Sequence, residues 1–328
     1  PLLSLPGSAY VRVSDGCDNR CSFCAIPLIR GGLKSRGIDD IVEECRALLE
    51  RGVQEICLVA QDLAAFGFDT HGKPMLAPLL ERLCGLSGDF WIRLLYLHPD
   101  HFPDILPVMQ SDKRILRYFD IPFQHASPKI LRLMNRKNDA AAYLRLIDTV
   151  RTALEGAVVR STFLTGFPGE TEADFRALLD FQKRAGLDWL GCFCYSREEG
   201  TPAYRIGKSP SHRTALRRKE ELEAAQIPIT RRRLKSLIGL HCPALIEEEI
   251  LGTSPPTPSS RTAVGGGAAA DGGAVGGGDG RLYIGRLWIH APEVDGSVVI
   301  QSSRELSVGK FEMCRITGLS GFDLRAMA

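Results

Sequence analysis

Between residues 8 and 195 short apolar runs and helical stripes take turns, and no other feature of the chain limits its fold as strongly. Runs rich in β-branched and aromatic residues stand at 9–13 (AYVRV), 55–60 (EICLVA), 91–97 (WIRLLYL), 118–122 (YFDIP), 157–164 (AVVRSTFL) and 189–195 (WLGCFCY). In the intervening segments apolar residues recur three and four apart. In IDDIVEECRALLERG, for instance, Ile38, Ile41, Val42, Cys45, Leu48 and Leu49 share one face and Gly52 ends the stripe. Helices are also expected near 75–86, 102–110, 128–134, 139–154 and 172–185. Strands separated by helices are parallel, because a parallel pair needs a crossover that a hairpin cannot supply. The expected fold class is therefore α/β, an open six-unit (β/α) partial TIM barrel, with a doubly wound sheet as the alternative. Polar and glycine-bearing residues follow the strand ends at 61–62, 98–101, 124–127, 166–171 and 196–201, where barrels place their sites.

The pattern sets three regions: residues 1–210 as the barrel, 211–236 as a connecting helix rich in Arg and Lys, and 237–328 as a small antiparallel β-barrel. A Gly-, Pro- and Ser-rich stretch at 252–280 interrupts the last region and cannot support a core, so it reads as an insertion. Charge divides along the same line. Residues 1–236 carry 34 Lys+Arg against 29 Asp+Glu, whereas 237–328 carry 7 against 10, including the run Glu247, Glu248 and Glu249. With 44% hydrophobic and 24% charged residues the composition is that of a globular protein, and no run approaches the roughly 18 apolar residues of a membrane helix. The first residues, PLLSLPGSAY, lack the charged start and apolar core of a signal peptide, and the missing initiator Met suggests that something upstream has been removed. Of ten cysteines, Cys45, Cys57, Cys84, Cys192 and Cys194 sit in apolar patterns and read as small core residues, which favours a reducing compartment. A cytoplasmic location is expected, with an organelle such as the plastid stroma as a further option.

The loop after the first expected strand, SDGCDNRCSFCAIPLIRG (14–31), has a different character. Cys17, Cys21 and Cys24 stand in C-x3-C-x2-C spacing among polar, turn-prone residues. Four thiolates close a structural zinc or iron-sulfur site, whereas three leave one coordination position free. Zinc would want a fourth ligand, and no His or Cys lies nearer along the chain than Cys45, itself on a helical core face. A cluster held by three thiolates can instead bind a small molecule at its open iron.

This spacing, on a loop following the first strand of a β/α domain, resembles that of the radical S-adenosylmethionine (SAM) enzymes, with Phe23 as the aromatic residue before the last cysteine. The resemblance implies a 4Fe-4S cluster ligated by Cys17, Cys21 and Cys24, SAM chelated at the open iron, and a 5′-deoxyadenosyl radical released on one-electron reduction. CAIPLIRGGLKSR (24–36), FQHASPKILRLMNR (123–136), TGFPGET (165–171) and FCYSREEGTPA (193–203) further resemble the methylthiotransferases, and the final β segment resembles their TRAM domain. Asn135 departs from that pattern, standing where the family often has Gly, and the 252–280 insertion is foreign to it. By the same resemblance Phe23, Gln61, Gln124, Arg160 and Ser161 are expected SAM contacts; read from residue chemistry, Gly166 and Gly169 are turn residues that let a ligand approach, and Glu170 and Thr171 suit a helix start. The family's second cluster, which carries the sulfur, is expected in an upstream domain. LYLHPDHF (95–102) and APEVDG (291–296) look like the RimO-type branch, which modifies the β-carbon of an aspartate in ribosomal protein S-twelve. The acidic final region suits such a basic partner better than RNA. An electron donor is the other implied partner. A tRNA adenosine methylthiotransferase is the alternative enzyme, and an iron-sulfur ribosome-assembly adaptor the non-catalytic one.

Overall fold

The computed structural model of the chain describes residues 4–250 and 280–328. Six parallel strands follow one another across a single sheet: β1 (Ser8–Arg12), β2 (Glu55–Val59), β3 (Trp91–Leu94), β4 (Ile115–Asp120), β5 (Val158–Thr165) and β6 (Trp189–Cys194). β1 and β6 are its two edges, so the barrel stays open. Helices α1 (Ile38–Glu50), α2 (Leu76–Cys84), α3 (Leu106–Ser111), α4 (Pro128–Leu133), α5 (Ala140–Ala153) and α6 (Glu172–Ala185) make the crossovers. Successive strand residues point to opposite faces. Val11, Ile56, Leu58, Ile92, Leu94, Phe119, Val159 and Phe163 therefore pack outward against Ile41, Leu79, Leu80, Ile147, Phe175 and Leu178 of the helices, forming the main core.

Several boundaries moved from their expected places, including the start of α3, at Leu106 rather than near 102. β3 stops at Leu94 because Tyr96 takes a left-handed φ of 66°, which turns the chain out of the ladder. β4 begins at Ile115, three residues early, because Ile115 and Leu116 are buried on the sheet's two faces. Helix α6 starts where its local chemistry requires. Thr171 is its N-cap, the Asp174 carboxylate accepts from Thr171 N at 2.8 Å, Thr171 Oγ1 accepts from Asp174 N at 3.3 Å, and Gly186 (φ 54°) ends the helix. Replacing Thr171 with Ala is expected to cost about 1 kcal/mol and replacing it with Ser much less, read as shifts of the urea unfolding midpoint.

Helix α7 (His212–Lys235) runs unbroken through Pro228 and crosses α6 and the edge strand, where Gln226 donates to Leu187 O and Thr230 to Asp188 O. It leads to a closed barrel of β7 (His241–Ile250), β8 (Arg281–Arg286), β9 (Val298–Ser302), β10 (Phe311–Ser320) and β11 (Asp323–Met327), in the order β8-β9-β11-β10-β7. Sequence patterning did not mark β11, and because it folds back on β10 through Gly321 (φ 63°) it lies parallel to β9, so the barrel is not wholly antiparallel. Of the 252–280 stretch, all but Gly280 lies outside the described residues.

The acidic run does not form the free negative face expected of it. Glu247 is buried and bound to Arg286 at 2.5 Å, and Glu249 pairs with Arg281 at 3.1 Å. The alternation of β7 turns neighbouring glutamates in different directions, and the barrel spends Glu247 on its contact with the sheet.

That contact closes the lower end of the lumen. Trp91, Tyr118, Val158 and Trp189, on the inner face near the strand starts, pack against Leu287, Ile289 and Ala291. Arg93 Nη1 donates to Trp288 O at 3.0 Å, Trp189 Nε1 to Ile289 O at 2.8 Å, and Tyr118 OH to Asp295 Oδ2 at 2.6 Å. Segment 287–296 is thus a floor, and the lumen opens at the opposite end, where the strand-to-helix loops lie.

Candidate metal centre

The three-cysteine loop sits at that open end, directly after β1, and is held in place from four sides. Cys17 N donates to Gly31 O at 3.2 Å and Leu33 N to Asp18 Oδ1 at 3.0 Å. Asn19 Nδ2 donates to Asp62 Oδ2 at 2.6 Å, just beyond β2. Ser22 Oγ donates to Leu133 O at 2.6 Å, Ser22 N to Met134 O at 3.1 Å, and Asn135 Nδ2 to Arg20 O at 2.8 Å, all at the end of α4. Ala203 N donates to Ser22 O at 2.8 Å. Gly16 (φ 68°) is required, since an added Cβ would overlap the Gly32 carbonyl. Asn135, where glycine is common in the resembled family, takes φ 58°, a left-handed conformation that Asn tolerates better than other side-chain-bearing residues.

All three thiols are free, with Cys17 buried and Cys21 and Cys24 half-buried, and Cys21 feels the charge of both its neighbours. Burial pushes Cys17 up to about 11 against the hydrogen bonds of Asn19, and burial likewise raises Cys21. Such thiols ionise when a cationic centre takes the place of their protons. Among the described residues no three His, Cys, Asp or Glu side chains converge on a point as one metal ion demands. Thiolates that bind different irons of one cluster have no such need. Three unpaired thiols on a braced loop open to the lumen fit an iron-sulfur cluster better than a zinc ion.

A polar shell lies on one side of Cys21. His98 Nε2 is 3.9 Å from Cys21 Sγ and 2.7 Å from Arg136 Nη1. His101 stacks on His98 with ring centroids 4.6 Å apart and meets Asp62 Oδ2 at 2.5 Å. Burial, reinforced by the Arg136 charge, pulls His98 down to about 3, so its imidazole is neutral. Burial pushes Asp62 up, but the His101 and Asn19 hydrogen bonds outweigh it and hold the carboxyl below its ordinary range. Cys21, His98 and His101 line, with Asp18, Asn19, Arg20, Asp100, Asn135 and Lys137, a cavity of about 280 Å³.

The expected SAM contacts separate into three groups. Gln61 and Gln124 stand at the mouth, Gln124 with φ 68° and bridged to Phe163, and Phe23 packs against the small cluster of Ile130, Met134, Phe167 and Ala203. Arg160 faces the lumen but lies lower, 3.1 Å from Asp120 and 3.5 Å from Asp295, with Gly191 leaving room for its guanidinium. Ser161 faces away: fully buried on the helix side, it accepts from Phe123 N at 3.2 Å. Neighbours on one strand cannot both face the lumen, so expecting Arg160 and Ser161 together as contacts needs correction, and the structure gives Ser161 a packing role. The glycines of 165–171 are also structural. An added Cβ on Gly166 would press on Ala215 of α7, and Gly169 N donates to Lys208 O. Glu170 is buried among Gly166 N, His125 and Arg218. His98 and His101 bound the strand-end segment 98–101 marked from sequence, whereas Arg136 and Tyr96, the last half-exposed at the mouth, were not singled out. The left-handed φ of Tyr96, rare for an aromatic residue, has no signature in the residue string.

Residues 11–181 match the radical SAM superfamily, and residues 274–328 match the TRAM domain. The ribosomal protein uS12 methylthiotransferase RimO of Treponema denticola is 42% identical, covering 100% of this chain and 70% of that protein. The RimO protein of Pseudothermotoga lettingae is 40% identical, covering 97% and 67%, and that of Desulfosudis oleivorans 39% identical, covering 100% and 68%. Among solved structures, the radical SAM methyltransferase TsrM of Kitasatospora setae superposes with a TM-score of 0.50 at 19% identity, covering 60% of this chain and 38% of that one. Coproporphyrinogen III oxidase HemN of Escherichia coli, a radical SAM enzyme, gives 0.50 at 18%, covering 69% and 53%. At such identities the likeness concerns the fold alone.

Proposed function

The chain belongs to the radical SAM superfamily and, within it, to the RimO family of ribosomal protein uS12 methylthiotransferases, and we propose that Cys17, Cys21 and Cys24 are the cluster ligands through which it modifies an aspartate of uS12. The observation that carries this reading is the placement of three free thiols on a braced loop at the open mouth of a six-stranded parallel barrel. A cluster held by Cys17, Cys21 and Cys24 would, with SAM bound, supply the radical chemistry needed to activate the aspartate β-carbon. The chain's own part is to hold and shelter. Asn19, Ser22 and Asn135 fix the loop, and the half-exposed Tyr10, Tyr96 and Phe193 offer aromatic surface on the inner face and at the mouth. The floor formed by segment 287–296 packs against the lower strand ends and closes that end of the lumen.

The remaining cysteines are poorly placed to carry the sulfur. Cys45, Cys57 and Cys192 are buried in the barrel domain, Cys242 and Cys314 lie opposite each other between β7 and β10, and Cys84 and Cys194 are half-buried on separate elements. We therefore assign the sulfur-bearing second cluster of the reaction to residues outside these 328. Anaerobically reconstituted and reduced with SAM, the 328-residue chain is expected to form 5′-deoxyadenosine but only traces of methylthio product on a uS12 loop peptide. Mass spectrometry of the peptide, run beside an unmodified tRNA, tests the reading. Modification of the tRNA instead would reassign the substrate, and absence of 5′-deoxyadenosine would remove the radical reaction.

A further inference from the structure

Arg136 follows the left-handed turn at Asn135 that ends α4, and its side chain is 6% exposed. Its Nε has no hydrogen-bond partner, and among the described residues it forms no ion pair with a carboxylate. The three carboxylates of the neighbourhood are committed elsewhere, Asp18 to Leu33 N. Asp62 binds Asn19, His101 and Ala64 N, while Asp100 accepts from Lys137 N, Asn138 N and Tyr143 OH. A buried guanidinium is strongly unfavourable unless an anion stands near it. In this structure its Nη1 is 2.7 Å from His98 Nε2, and Cys21 Sγ stands 3.9 Å from the same nitrogen.

We propose that Arg136 is the fixed cation of the iron-sulfur site, balancing the thiolates and easing the entry of the electron that starts the reaction. The inference rests on the assignment of the cluster to Cys17, Cys21 and Cys24. Each bound thiolate brings one negative charge, and reduction adds another, so a buried cation nearby stabilises the reduced form more than the oxidised one. His98 serves as the spacer. Its Nε2 is 2.7 Å from Arg136 Nη1 and 3.9 Å from Cys21 Sγ, and its Nδ1 is held by Asp100 N at 3.2 Å, which fixes the ring between the guanidinium and the thiol.

The test compares Arg136→Gln, Arg136→Lys and wild type as reconstituted 328-residue chains, without SAM. Iron and sulfide are counted, and the midpoint potential is followed by electron paramagnetic resonance. Arg136→Gln is expected to lower the reduced-to-oxidised ratio at a fixed potential about tenfold, which for one electron is about 59 mV more negative. Arg136→Lys, which keeps the charge, should stay near wild type. If Arg136→Gln fails to retain the cluster, iron retention by Arg136→Lys at an unchanged melting temperature supports the charge role, whereas equal loss of iron and of melting temperature in both variants overturns it. Full loading of both at the wild-type potential also overturns it. A wild-type chain that takes up no iron removes the cluster assignment itself and this proposal with it.

Discussion

Cys21→Ala is expected to yield a folded protein that holds no intact 4Fe-4S cluster and forms 5′-deoxyadenosine only at background level. The fold should survive because the loop does not depend on the thiol for its shape. Asn19 to Asp62, Ser22 to Leu133 and Met134, Asn135 to Arg20 and Ala203 to Ser22 brace it with backbone and polar side chains that the substitution leaves untouched. The cluster should not survive, because one of three protein ligands is gone and no fourth cysteine lies within reach on the same loop. Cys45→Ala is the informative control. That thiol is 1% exposed in the helix-facing core, so its loss should cost stability on the order of 1 kcal/mol while leaving iron content unchanged. Iron and sulfide per chain, the visible absorbance of the reconstituted protein and its thermal melt separate the two cases. Full cluster content in Cys21→Ala would end the assignment.

The repeating strand-and-helix rhythm was legible because parallel strands must be apolar and crossover helices must be amphipathic, and both constraints leave periods in the string. α6 matched its expected 172–185 span because Thr171 and Gly186 mark its ends chemically. What could not be read depends on partners distant in sequence. Glu247 looks like a member of a solvated acidic run until Arg286 is brought against it by the folding of the second barrel. Arg136 looks like one basic residue among several at the end of a helix, and only its burial, with no carboxylate paired to it among the described residues, marks it out. Ser161 is a different case. Strand alternation was available beforehand and already excluded it from the face occupied by Arg160.

These partners converge on the seam between the two barrels, where charge is buried as thoroughly as anywhere in the main core. Ser8, Glu55 and Arg93 come from the sheet, Glu247 and Arg286 from the second barrel, and Arg160, Asp120 and Asp295 continue the alternation of sign across the lumen floor. A network of this kind makes docking selective, since a displaced floor would leave each ion without its counter-ion. It also ties Arg160, on the inner wall, to the domain underneath.

Glu55→Gln is therefore expected to destabilise the protein by about 3–5 kcal/mol at neutral pH, the usual cost of leaving a buried charge unmatched. The glutamate is fully buried, 2.8 Å from Arg93 Nε and 2.5 Å from Arg286 Nη2, and an amide of the same size keeps the packing while leaving two guanidinium groups with Glu247 as their remaining carboxylate. Adding Arg286→Met to Glu55→Gln should recover part of the loss, because it removes one of the stranded cations. Acid provides a second readout. Burial alone would push Glu55 up, but Arg93 and Arg286 outweigh it and hold the carboxyl at about 2, below its ordinary 4.5. A folded value below the unfolded one means that the stabilisation is complete above about 4.5 and is lost as the pH falls towards 2, about 3 kcal/mol in all. Asp295 acts in the opposite sense. Burial pushes it up to about 6 from 3.8, so its contribution is complete below 3.8 and is lost as the pH rises through 6. Other carboxylates also titrate in acid, so the useful quantity is the stability of wild type minus that of Glu55→Gln, measured by urea unfolding from pH 7 down to 3. That difference should be constant down to about pH 4.5 and shrink below it. A variant within 1 kcal/mol of wild type at pH 7, or a difference that ignores pH, would mean that the seam is held by its apolar contacts and that Glu55 is incidental to it.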